Sequence, residues 1–155
     1  MRMKLAALGA ALLLTGCLDT TTKPVGEYID CTTPALAYKS GDVGFTTTSS
    51  GLVYRDVTVG TGATFASGNS VSVRYGGCLT NGTKFDSNES PGPVLSFKLG
   101  GGGVIAGFDE GLMGMKVGGR RELVIPPNLA YGNKVNGPIP ANSTLVFIID
   151  AASTP

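Results

Sequence analysis

Residues 71–82, Val71-Ser72-Val73-Arg74-Tyr75-Gly76-Gly77-Cys78-Leu79-Thr80-Asn81-Gly82, decide how this chain folds. Val71, Val73, Tyr75 and Leu79 fall on one face of an extended segment, and Ser72, Arg74 and Cys78 fall on the other. That is the two-residue period of a half-buried strand. Asn81-Gly82 stands at its end, a pair that accepts positive φ and marks a hairpin. The same reading works outward along the chain. Val94 to Leu99 is a second short strand, closed by the run Gly100 to Gly103. Arg120 to Ile125 is a third, stopped by Pro126-Pro127. Thr144 to Ala151, TLVFIIDA, is apolar on both faces and belongs in the middle of a sheet. Leu52 to Val57 supplies a fifth strand. Val104 to Met113 departs from the alternation. Its Val104, Phe108 and Leu112 make one helical stripe with Ile105 beside it, and Lys116 and Gly118 suit the C-terminal end. The internal glycines of such a helix cost about 1 kcal/mol each against Ala, so it needs a sheet to hold it. The sum is an α+β fold, an antiparallel sheet with one short helix on one face.

Composition limits the chemistry. Among 155 residues there is no His and no Trp, and there are 24 Gly. Without His there is no Ser-His-Asp triad, no Cys-His pair and no His-ligated metal. Apolar residues make up 42% of the chain, enough for a core, so the surplus glycine points to turns and not to disorder. Charged residues are only 15% and the formal net charge is +1, which makes neither nucleic acid nor an acidic surface an obvious partner.

The N-terminus reads as a leader. Arg2 and Lys4 precede an apolar run from Leu5 to Leu14, too short to span a bilayer but suited to a secretory signal. Leu14-Thr15-Gly16-Cys17 resembles the bacterial lipobox. That resemblance implies cleavage after residue 16, lipidation of Cys17 and acylation of the new terminus, and several acyl chains give stable membrane anchoring. Removing Arg2 and Lys4 leaves ten basic against eleven acidic residues, a net charge of −1. Leu18 follows the cysteine, and by resemblance to enterobacterial sorting this argues against retention at the inner membrane. Residues 17–50, rich in Thr, Ser, Pro and Gly, lack sustained periodicity and read as a lipidated cysteine followed by a flexible tether. The folded domain is expected over residues 51–152.

Six blocks within that domain occur in a telling order: Val73 to Gly77 (VRYGG), Asn81 to Ser87 (NGTKFDS), Gly103 to Leu112 (GVIAGFDEGL), Lys116 to Arg121 (KVGGRR), Pro126 to Gly132 (PPNLAYG) and Ile139 to Phe147 (IPANSTLVF). Together they resemble an FKBP-type peptidyl-prolyl cis/trans isomerase domain, from about Gly51 to Ala151. The resemblance implies a half-barrel antiparallel sheet wrapped around one short helix, with an apolar cleft between them. It implies walls of Tyr75, Phe85, Val104, Ile105, Tyr131, Ile139 and Phe147, a floor at Phe108 and a polar edge at Asp86. The Ile105 N–H and the Tyr131 hydroxyl stand at the family's donor positions, and Asp86 has an electrostatic and positioning role. Tyr75, Asp86, Ile105 and Tyr131 are thus the catalytic candidates. Leu95 sits where the family usually has an aromatic, Phe108 where its best-studied members have Trp, and Pro91 where a basic residue often faces the acidic one. No cofactor and no metal are implied. The implied partners are proline-containing polypeptides, a membrane through the lipid anchor, and macrolide-type inhibitors, with no nucleic acid.

Other features have plainer readings. Gly100 to Gly103 lacks the ending of a phosphate loop and reads as a turn. Asn81-Gly82-Thr83, Asn88-Glu89-Ser90 and Asn142-Ser143-Thr144 match glycosylation sequons and are taken as coincidental in a bacterial lipoprotein. Asp109 and Glu110 read as a solvated helix face. With Cys17 given to lipid, Cys31 and Cys78 remain. An oxidising compartment permits them to form a disulfide, with two free thiols as the alternative. The expectation is therefore a lipid-anchored isomerase that assists folding of exported proteins at the bacterial cell envelope, facing the periplasm or on the outer membrane. The alternative is a weakly or non-catalytic module that binds proline peptides or acts as a chaperone.

Overall fold

A computed structural model describes Cys31, residues 44–88 and residues 90–154. The leader, Cys17 and most of the tether lie outside the described residues. Among the described residues, seven strands, β1 (Thr46–Thr47), β2 (Val53–Thr58), β3 (Ser70–Leu79), β4 (Lys84–Ser87), β5 (Leu95–Lys98), β6 (Arg120–Ile125) and β7 (Leu145–Ser153), accompany one helix, α1 (Ala106–Leu112), and a 3-10 turn at Pro127–Leu129. The sheet runs β1-β2-β6-β7-β3-β4, with β5 also paired to β3, and every pairing is antiparallel. Apolar β7 lies between β6 and β3, as its two-faced pattern predicts. The Asn81-Gly82 hairpin joins β3 to β4, with Gly82 at φ +88. The fold is the expected α+β sheet carrying one helix.

The alternation in β3 divides two apolar clusters. Val71, Val73 and Leu79 join Leu112, Leu123, Leu145 and Ile149 in the main core on the helix side. Cys78 lies in a second cluster with Cys31, Val53, Val124 and Val146. Cys31 and Cys78 are joined by a disulfide, Cα–Cα 5.8 Å, across 47 residues of sequence. Phe45 packs against this second cluster and β1 pairs with β2. The domain thus takes in residues before Gly51 that composition assigns to the tether, because two threonines suffice to add an edge strand.

The helix is shorter than its apolar stripe. Val104 and Ile105 precede it: Ile105 is the N-cap, at φ −61 and ψ 148, and helical backbone starts only at Ala106. Its far end is set by Gly114, at φ +74, and not by Lys116 and Gly118, which belong to the next turn. The positive charge there comes from Arg121 of β6, which donates to the carbonyls of Gly111 (2.9 Å) and Met113 (3.1 Å) and grips Asp56 through two nitrogens (2.7 and 3.0 Å). One buried guanidinium thus ties the helix end to β6 and β2.

Asp109 and Glu110 also depart from expectation. Asp109 accepts from the N–H groups of Gly100 (2.8 Å) and Gly102 (3.2 Å), and Glu110 accepts from the Ser50 hydroxyl at 2.8 Å. Each carboxylate fastens a loop to the helix.

Candidate active site

The site forms where β3, β4, β5 and β7 face the N-terminal end of α1. Phe108, the first large apolar residue inside the helix, is 4% exposed and points at the sheet. Its ring meets Phe147 of β7 edge-on at 5.2 Å and Tyr75 of β3 at 5.8 Å. Phe85 of β4 meets Phe147 at 5.5 Å, again edge-on. Edge-to-face contacts of this kind add about 0.5–1.5 kcal/mol beyond area burial and fix ring orientation. Gly77 permits the cluster, since a Cβ there would stand 2.7 Å from Phe85 and 2.8 Å from Phe147.

The rings enclose a cleft of about 190 Å³. Tyr75, Phe85, Phe147 and Phe108 line it as aromatics, Leu95 and Val104 as aliphatics, and Asp86, Ile105 and Tyr131 carry its polar groups. Gly103 also lines it, a residue that the sequence reading gave to a turn and not to the site. Ile139 does not line it, which corrects its expected place as a wall. It is 4% exposed and packs in the main core. A larger hollow of about 350 Å³ lies on the other face of the sheet, against Val53, Val124 and Val146, with no aromatic and no charged group in its lining. Volume alone does not choose a site, and the chemistry lies with the smaller cleft.

Tyr75 donates its hydroxyl to Asp86 Oδ2 at 2.6 Å. Burial first, then the hydrogen bond and negative charge of Asp86, push the phenol well above the ordinary tyrosine range, so it stays a donor. Asp86 is held by this contact although Pro91 offers no basic partner. Tyr131, 37% exposed, follows the 3-10 turn and sits at the mouth. Among the described residues, no acceptor takes the Ile105 N–H, one of the orphan donors of a helix start. The Gly100–Gly103 turn that carries the chain into Val104 and Ile105 is pinned by Asp109.

The chemistry of this arrangement is limited. It has one carboxylate held by a phenol, main-chain donors and apolar walls. Among the described residues, no group of three or more His, Cys, Asp or Glu is placed to hold a metal. The cleft can grip a small apolar ring, exclude water from it and offer hydrogen bonds to a neighbouring carbonyl.

An antiparallel sheet around one short helix, with an aromatic cleft between them and a single carboxylate at its edge, defines a class of binding or conformational catalyst. The chain belongs to the FKBP-type peptidyl-prolyl cis-trans isomerase family, which matches residues 62–151. It is 52% identical over 99 residues to FK506-binding protein 4 of Chaetomium thermophilum, covering 64% of this chain and 20% of that relative. It is 57% identical over 81 residues to FK506-binding protein 1A of Neurospora crassa, covering 52% and 68%. The crystal structure of FkpA from Escherichia coli is similar with a TM-score of 0.67 and 45% identity, over 74% of this chain and 53% of that one. The chain spans about a fifth of the length of the Chaetomium relative.

Proposed function

We propose that this protein catalyses cis/trans isomerisation of X–Pro peptide bonds in polypeptides. The observation that carries this reading is the cleft of Tyr75, Phe85, Phe108 and Phe147 closed over a polar edge at Asp86. Rotation about the bond meets a barrier of about 18–20 kcal/mol because the amide loses resonance. No proton moves and no bond breaks. The twisted amide is less polar than the planar one, so an apolar, water-poor cleft favours it relative to bulk water. The aromatic walls hold the proline ring. The Ile105 N–H is the donor to the substrate carbonyl beside the proline, and the Tyr131 hydroxyl is a second donor at the mouth. The names of the fungal relatives point to FK506, a macrolide, as an inhibitor for the same cleft.

The site of action in this proposal is the bacterial cell envelope, where the protein is anchored by lipid on Cys17 and assists exported chains. The lipobox-like Leu14-Thr15-Gly16-Cys17 supports it, and so does the Cys31–Cys78 disulfide, a bond of oxidising compartments. Uncatalysed X–Pro isomerisation takes tens of seconds, long enough to limit the folding of an exported chain.

A protease-coupled assay on short Xaa-Pro peptides tests the activity. Acceleration at micromolar protein is expected. Peptide binding without acceleration would replace the enzyme by the weakly or non-catalytic binding module that the departures at Leu95 and Phe108 suggest. Mass analysis of the N-terminal peptide for acylated Cys17, with Cys17→Ser as control, tests the anchor. An unmodified cysteine in membrane-free protein would remove it.

A further inference from the structure

The outer edge of β3 is shared by two strands that do not meet. β5 pairs with Ser70 to Val73 and β4 with Gly76 to Cys78, which leaves Tyr75 opposite neither. The side chain of Asn88, just past β4, fills the gap. Its Oδ1 accepts the Tyr75 N–H at 2.7 Å, and its Nδ2 donates to the carbonyls of Val73 (3.1 Å) and Pro93 (3.2 Å). The Asn88 N–H donates to the Tyr75 carbonyl at 3.1 Å. Residue 88 therefore satisfies both main-chain groups of Tyr75. Arg74 Nη1 donates to the carbonyls of Asn88 (3.2 Å) and Gly92 (2.6 Å) and clamps the same connection. Acceptance from an N–H beside donation to two carbonyls needs a side-chain amide.

We propose that Asn88 is a positioning residue for the isomerase site. It stands in for a strand across the gap that β4 and β5 leave on β3, and so sets where the Tyr75 hydroxyl enters the cleft. The inference rests on the isomerase reading of that cleft. It also accounts for an asparagine that local sequence presents only as a sequon match. Its amide is turned inward and occupied by two carbonyls.

The test is a double-mutant cycle on the full protein in the peptide assay, using N88A, Y75F and the pair. N88A is expected to lower kcat/KM about tenfold in the wild-type background and less than about twofold beside Y75F, because the two act through one hydroxyl. Should N88A not fold, N88D, which keeps an oxygen for the Tyr75 N–H, is expected to lose less and carries the same cycle. Equal losses in both backgrounds, or no loss, overturn the proposal. Ring-proton shifts of Tyr75, set by the neighbouring Phe108 and Phe147 rings, are read in parallel and need no turnover. They are expected to move in N88A. An inactive wild type would remove the isomerase reading, and unmoved ring shifts would then overturn the positioning role as well.

Discussion

Gly111 of α1 lies so close to Leu123 of β6 that a Cβ on the glycine would stand 2.5 Å from Leu123 Cδ1. Leu123 is fully buried, and the Gly111 carbonyl is held by Arg121. The helix therefore gives up propensity at Gly111 to lie directly on the sheet. Gly107 makes the same approach to Ile125.

Gly111→Ala should accordingly destabilise the protein by about 1–3 kcal/mol, the usual cost of overpacking a core. This is opposite in sign to the gain of about 1 kcal/mol that helix propensity alone would give. Urea denaturation measures it, and a more stable variant would contradict the packing argument.

Asp86→Ala should lower kcat/KM partially, by about tenfold or less, the size of one lost hydrogen bond. The variant frees the Tyr75 hydroxyl but leaves the aromatic walls in place. A loss of several thousandfold would instead assign Asp86 a proton-transfer role.

Activity should change less than about twofold between pH 6 and 8, because no step in the cleft needs a group that titrates there. The chain has no His, and the Tyr75 phenol is pushed far above this range. A bell-shaped profile of kcat/KM would overturn desolvation as the source of catalysis.

Reduction of the Cys31–Cys78 bond should cost about 2–4 kcal/mol of stability and leave kcat/KM within about twofold. Cys78 lies in the cluster on the far side of the sheet from Tyr75 and Phe147. Intact mass after alkylation without reductant should show neither cysteine labelled. Two labelled thiols would exclude the bond.

Glu122 gives stability a pH dependence of definite sign. It is fully buried, with Oε2 accepting from Arg55 at 2.6 Å and Oε1 without a partner among the described residues. Burial raises its pKa above the ordinary 4.5, and Arg55 opposes the rise. The folded state thus holds this proton more tightly than the unfolded state. The contribution is complete below about pH 4.5 and is lost as pH rises through the raised value. Wild type should therefore lose stability relative to Glu122→Gln between pH 4 and 7, measured by denaturant titration at each pH. A wild type that gains stability relative to Glu122→Gln as pH rises would refute the assignment.

Strands were legible because burial writes itself into alternation. Val71, Val73 and Leu79 reach one core, while Cys78 reaches the other. The helix start was not legible, because Val104 and Ile105 fit a helical stripe as well as they fit the extended approach they adopt. Ile139 carries the same difficulty into the site, since an apolar side chain suits a cleft wall and a core equally and only tertiary packing separates the two. Asp109 was read as a solvated face, and Asn88 only as part of a coincidental sequon, for another reason. Their partners are main-chain groups of Gly100, Gly102, Tyr75 and Val73, which no side-chain pattern records. Tyr75, Phe85, Asp86, Phe108 and Phe147 line one cleft.

The clip between Cys31 and Cys78 also sets a leash. If lipid holds Cys17 at a bilayer, only residues 18–30 separate the anchor from the clipped cysteine. A chain of that length reaches about 50 Å at most. Without the clip, the next described residue is Gly44, and the fully extended length from Cys17 to it is about twice as great. Because Cys78 lies on the sheet face turned away from the cleft, the leash pulls from behind. A protein anchored in that way would stay within a shallow layer above its membrane, and cutting the one bond would deepen that layer.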